Sequence, residues 1–201
     1  MKIACFVSGN GTNLQAIINS VRKGRIKGAQ IALVVSDNKN AYALKRAKKA
    51  NIETFVLDPK GFKKRKDYDR EVVSKLKKKN IDLVILAGFM RLVSDYFIRQ
   101  YKHRIMNIHP ALLPSFKGTR GIKDAYEYGV KKTGVTVHFV DEKLDHGPII
   151  LQESVDIKEN DTFESVEKKV HKAEHELYPE AIRLFVEGKI KIEGRKIKIK
   201  R

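Results

Sequence analysis

Ile3-Ala4-Cys5-Phe6-Val7-Ser8-Gly9-Asn10-Gly11-Thr12-Asn13-Leu14 runs from apolar residues straight into a two-glycine turn and on into hydroxyl and amide side chains. An apolar run of that length suits a strand covered on both faces, and Asn13 to Val21 carries the spacing of the helix that follows it. Glycines at a strand-to-helix turn let the backbone fold tightly and approach a ligand. The N–H groups freed there, with the positive end of the helix dipole, favour an anion, usually phosphate. A dinucleotide fingerprint asks for a third glycine at position 14, where the chain has Leu14, and the P-loop lysine is missing. Asp37 stands where a dinucleotide fold keeps its ribose-binding acid, but it serves better as a cap of the next helix or turn. Because hydroxyl and amide side chains crowd the helix start, a monophosphate reader fits this turn better than a bare change of direction.

Outward from this unit, apolar runs alternate with amphipathic stretches. Strands are expected at Ile31 to Val35, at Ile81 to Leu86 and at Arg104 to Ile108, with a short extended piece at Glu53 to Leu57. Helices are expected at Ala41 to Ala50 and Asp67 to Lys79, the latter with Val72, Val73 and Leu76 on one side. Alternation of this kind places the chain in the α/β class, as a Rossmann-like, mostly parallel twisted sheet flanked by helices. After Pro114 the pattern changes. Val135 to Val140 and Pro148 to Val155 read as strands around the acidic loop Asp141 to Gly147. Asp161 to Glu187 reads as a long helix interrupted near Pro179, and Lys189 to Lys200 alternates Ile with Lys around Glu193-Gly194, as a terminal hairpin does. No repeat and no Pro/Ser-rich linker marks a boundary, so a single domain over residues 1–201 is expected.

Hydrophobic content of 42% and charged content of 33% describe a globular chain able to build its own core. Cys5 is the one cysteine, which excludes an internal disulfide framework and a cysteine-cluster metal site. No apolar run approaches the roughly 20 residues that span a bilayer, and the first strand is too short for a signal peptide. A cytoplasmic protein is the expectation. The net charge of +18 invites a nucleic-acid reading. Against it, the lysines scatter over helix faces, and no RRM, KH, zinc-finger or helix-turn-helix signature is present. A solvated basic surface that attracts small anions accounts for the charge.

The sharpest chemical signal is Met106-Asn107-Ile108-His109-Pro110. Residues two apart on a strand point to one face, so Asn107 and His109 project together. Pro110 ends the ladder there, at the carboxyl end of a strand, where open α/β sheets bind ligands. An amide donor beside an imidazole suits a developing oxyanion. A second acidic element, Val140-Asp141-Glu142-Lys143-Leu144-Asp145-His146-Gly147-Pro148, can bring a carboxylate from elsewhere, although spacing alone does not prove the contact. A carboxylate beside His109 would stabilise the imidazolium. His109 as a buried structural histidine stays open at this point.

Taken together, Ser8 to Gln15, Leu86-Ala87-Gly88-Phe89-Met90-Arg91, Asn107-Ile108-His109-Pro110, Leu144 to Ile149 and Glu174-His175-Glu176-Leu177-Tyr178-Pro179 resemble the folate-dependent formyltransferases. Several motifs in the same order over nearly the whole chain are far more specific than a lone glycine turn. The resemblance implies a formyltransferase fold and transfer of a formyl group from 10-formyltetrahydrofolate, as co-substrate, to the amine of glycinamide ribonucleotide in purine synthesis. It implies Asn107, His109 and Asp145 as the catalytic set. It assigns Gly11, Thr12, Asn13 and Glu174 to the phosphorylated substrate. It assigns Arg65, Met90, Arg91, Leu92, Val93, Asn107 and Asp141 to the folate. His138 reads as a core strand residue and stays outside the set. The implied partners are the two small molecules, with no metal, nucleic acid or membrane, in a monomer or homodimer. Two rivals are weighed against this. One is transfer to methionyl-tRNA or hydrolysis of formyl-folate, whose enzymes usually carry an additional domain. The other is a basic nucleic-acid-binding module on a formyltransferase-like fold.

Overall fold

The computed structural model describes residues 1–200. They form two compact units, residues 1–106 and 107–200. In the first unit β1 (Lys2–Val7) leads into α1 (Thr12–Arg22), β2 (Gln30–Ser36), α2 (Tyr42–Lys49), β3 (Thr54–Val56), α3 (Arg65–Lys78), β4 (Leu83–Leu86) and α4 (Asp95–Gln100). β5 (Ile105–His109) crosses the division, and the second unit continues with α5 (Gly121–Tyr128), β6 (Lys132–Phe139), β7 (Ile149–Asp156), α6 (Phe163–Val186), β8 (Ile190–Glu193) and β9 (Lys196–Ile199).

Seven strands make one sheet in the order β3-β2-β1-β4-β5-β6-β7, and β8 and β9 make a separate hairpin. β1 pairs in parallel with β2 and β4, and β2 with β3, whereas β7 runs antiparallel to β6 at the far edge. Burial explains the apolar runs. Every residue of β1 after Lys2 and every residue of β4 is buried, as strands covered on both faces must be. α1 turns Leu14, Ile17 and Ile18 inward at helical spacing, and α3 does the same with Val72, Val73 and Leu76.

Three features depart from the sequence expectation. The short helices α4 and α5 were not expected, being too brief for a periodic signal. α6 passes through Pro179 without a break. The proline forfeits one backbone hydrogen bond, while its buried neighbours Tyr178, Ala181 and Ile182 keep that turn packed. The helix starts where Thr162 accepts from the Ser165 N–H at 3.3 Å, an N-cap bond. Among the described residues no helix is long and apolar enough to cross a membrane.

Candidate active site

The glycine turn of the first unit is held on all sides by backbone bonds. The Ser8 N–H donates to the Gly88 carbonyl at 3.0 Å, and the Ala43 N–H donates to Gly9 at 3.1 Å. Asn38 Nδ2 donates to the Ser8 carbonyl at 3.1 Å, while Ser8 Oγ accepts from the Met90 N–H at 2.9 Å. That last bond ties the turn to the Met90–Val93 segment. Gly11 is obligatory twice over: its φ is 75°, and a Cβ there would lie 2.5 Å from Ala43 Cβ. As N-cap of α1 it brings no capping side chain, and the first turn holds no acid. Thr12 and Asn13 open α1 at the positive end of its dipole, which favours an anion. Sequence reading missed Arg46, one basic residue among many on α2. Its Nε donates to the Asn10 carbonyl at 2.9 Å and its Nη2 to Asn10 Oδ1 at 3.0 Å, so a fixed guanidinium braces the turn.

Also in this unit, Met90 and Leu92 are exposed apolar side chains, and Val93 is buried. Arg91 lies with its guanidinium 4.8 Å from the Tyr68 ring centre, a cation–π stack. Arg65 is the first residue of α3. One turn along, the buried Asp69 accepts from the Ser94 N–H at 2.6 Å and so fixes the start of α4 just after Val93. Burial raises the Asp69 carboxyl, and its bonds to Ser94 and the charges of Arg65 and Arg91 pull the other way. Two exposed apolar side chains flanking Arg91 in sequence suit a flat, partly anionic ligand.

In the second unit, β5 and the loop between β6 and β7 bring Asn107, His109 and Asp145 together. His109 and Asp145 are buried, with His109 Nδ1 at 3.5 Å from Asp145 Oδ2. His109 Nε2 lies 2.8 Å from the Phe116 carbonyl, which can only accept, so that nitrogen carries a proton. Both ring nitrogens thus face oxygens. Asp145 Oδ2 also accepts from the Gly118 N–H at 2.8 Å, and its backbone is left-handed at φ 46°. Glu174 is buried on α6 and accepts from His171 Nδ1 at 2.8 Å. Asp141 Oδ2 takes a bond from His146 Nδ1 at 2.7 Å.

His138, set aside on sequence grounds, turns out to orient the site. Its Nδ1 lies 2.8 Å from the Phe139 carbonyl and must be the protonated nitrogen. Burial holds the ring below the ordinary histidine value of 6.5, so it is neutral and its Nε2 has a lone pair. That lone pair accepts from Asn107 Nδ2 at 3.3 Å. The amide of Asn107 is thereby fixed, with one N–H engaged and the other left for a ligand oxygen. The clue available beforehand was the strand order: β5 and β6 are neighbours, and no local pattern reports that.

The neutrality of His138 has a consequence for stability. Its folded pKa lies below the unfolded one, so its contribution is complete above about pH 6.5 and fades as pH falls below it. His171 works oppositely: the Glu174 bond raises its pKa, and its contribution fades as pH rises through the raised value. The urea midpoint is therefore expected to drop less between pH 7.5 and 5.5 in His138→Gln than in the parent chain. Equal drops in parallel urea titrations would remove His138 as a source of the acid sensitivity.

The family model described as "Formyl transferase" matches residues 1–182. The phosphoribosylglycinamide formyltransferase of Bacillus subtilis is 40% identical over 182 residues, which is 90% of this chain and 93% of that protein. A crystal structure of glycinamide ribonucleotide transformylase 1 from Symbiobacterium toebii superposes with a TM-score of 0.97 at 45% identity, over 100% of this chain and 94% of that one. The trifunctional purine biosynthetic protein adenosine-3 of Gallus gallus is 43% identical over 96% of this chain, which spans only 19% of that longer protein.

Proposed function

The chain belongs to the formyl transferase family, and from that premise we propose that residues 1–201 act as one catalytic domain moving the formyl group of 10-formyltetrahydrofolate to the amine of glycinamide ribonucleotide. The observation that carries the reading is the cluster in which His109 lies between the Phe116 carbonyl and Asp145, with the amide of Asn107 oriented by neutral His138. Its chemistry is that of acyl transfer through an oxyanion.

The substrate amine attacks the formyl carbon, forming a C–N bond while the carbonyl electron pair moves onto oxygen. Asn107 donates its remaining N–H to that oxygen, and the His109 imidazolium stabilises the same charge. Asp145 faces the His109 ring and orders the path by which the amine proton reaches the departing folate nitrogen, as the bond from that nitrogen to the formyl carbon breaks. A covalent detour through sulfur has no support, because burial pushes the Cys5 thiol up to about 12 and leaves no thiolate near neutrality. The α1 terminus, with Gly11, Thr12 and Asn13, takes the phosphate of the acceptor, and Glu174 its glycinamide end. Met90, Leu92 and Val93 cover the folate rings, Arg65 and Arg91 meet its carboxylates, and Asp141 contributes an acceptor to the same ligand. Holding both reactants supplies the proximity term.

The test mixes the protein with 10-formyltetrahydrofolate and glycinamide ribonucleotide and follows the deformylated folate. Turnover with this acceptor, and none with charged methionyl-tRNA or with water alone, is the expected outcome. Turnover only with tRNA or water would replace the acceptor assigned here.

A further inference from the structure

We propose that the β8–β9 hairpin is a strap on the Asp141–Asp145 loop, and that Arg195 at its tip is a positioning residue for formyl transfer; the second half of this rests on the function proposed above. The hairpin lies beyond the 182 residues that match the family model. Its strands pair Glu193 with Lys196, leaving Gly194-Arg195 as a two-residue turn, and β9 lies against β7. From that tip Arg195 Nη2 donates to the His146 carbonyl at 2.7 Å. Arg195 Nη1 sits 3.2 Å from His146 Nδ1 and 3.1 Å from Nε2.

Three side chains connect the hairpin tip to the loop. Asp141 accepts at 2.7 Å from His146 Nδ1, and the Arg195 guanidinium sits against the same ring, within 3.2 Å of both its nitrogens. Guanidinium, imidazole and carboxylate thus stand in one connected row. Asp141 Oδ1 also accepts from the Lys143 N–H at 3.0 Å, closing the front of the same loop. Asp145 stands immediately before the gripped His146, in a left-handed backbone at φ 46°. A non-glycine residue keeps that conformation only where its surroundings hold it. The Arg195 grip on the His146 carbonyl acts one residue from the carboxylate that faces His109. Neither end of the strap touches the reacting atoms, so its effect passes through the loop.

Two readouts test the strap on the full chain, one of them independent of catalysis. In Arg195→Ala, amide hydrogen exchange over residues 141–147 should rise about tenfold, the worth of one charge-assisted hydrogen bond, with β1 and β4 unchanged. Lys198→Ala, on the same hairpin, should leave the loop at parent rates. In steady-state kinetics Arg195→Ala should lower kcat on the order of tenfold at unchanged KM for glycinamide ribonucleotide, and Arg195→Lys should recover part of it. Unchanged loop exchange in Arg195→Ala, or an equal rise in Lys198→Ala, would overturn the strap. A loosened loop with parental kcat would overturn the positioning role. An inactive parent would defeat the function reading instead, and the exchange data would still decide the strap.

Discussion

Asn107→Ala should lower kcat by about 100-fold while leaving the KM of both substrates within a few-fold of the parent. In the proposed role the amide donates only to the oxygen that gains charge, and a donor used in the transition state alone shows in kcat rather than KM. The magnitude follows from its preorganisation. His138 Nε2 holds Asn107 Nδ2 at 3.3 Å, so the protein's own contacts set the donor in place. Stability should fall by only about 1 kcal/mol, because Asn107 is half-buried and its loss leaves the buried His138 Nε2 as one unfilled acceptor. Steady-state kinetics with thermal melts on the same preparation separate these effects. Parental kcat would take Asn107 out of the reaction; a lowered melting temperature matching the loss would make its role structural.

Much of the architecture was legible because it follows from local pattern. A strand buried on both faces must be apolar throughout, and Ile3 to Val7 and Ile81 to Leu86 are nearly so, Asp82 alone excepted. The alternation of Ile with Lys in the tail announces β8 and β9 by the two-residue period of a strand. The pair Asn107 and His109 was readable too, since side chains two apart on a strand share a face and Pro110 ends the ladder. What stayed hidden depends on contacts between distant segments. His138 meets Asn107 only because β6 lies beside β5, and 31 residues separate the two in the chain. Arg46 and Arg195 were lost among 42 basic residues, since composition does not distinguish a guanidinium fixed on a loop from one in water. Pro179 was misjudged in the opposite sense: local chemistry argued for an interruption, and packing of its neighbours overrode it. The roles proposed for Arg65, Asp141 and Glu174 rest on family resemblance, and their positions alone do not assign them.

The largest loss of stability is expected from Gly147→Ala, by about 3 kcal/mol, toward the upper range for overpacking. A Cβ built on Gly147 lies 1.9 Å from the Phe139 carbonyl oxygen, 2.8 Å from its carbon and 3.3 Å from the Asp141 nitrogen. All three are backbone atoms, so no side-chain rotation relieves the clash; the loop or the end of β6 must shift. Gly61 offers the control, because a Cβ added there meets nothing within 4 Å and Gly61→Ala should stay within about 0.5 kcal/mol of the parent. For a chain of this size the difference corresponds to a fall of roughly 6–12 °C in Tm. The same displacement reaches the chemistry. The Phe139 carbonyl is the acceptor that fixes the proton on His138 Nδ1 at 2.8 Å, and His138 in turn fixes Asn107. Moving that oxygen frees the ring to change tautomer, and a proton on Nε2 would turn it from acceptor into a competing donor toward the Asn107 amide. Gly147→Ala should therefore lose kcat even at temperatures where it is fully folded. Turnover at the parental rate in the folded variant would show that the loop absorbs the methyl group without disturbing His138.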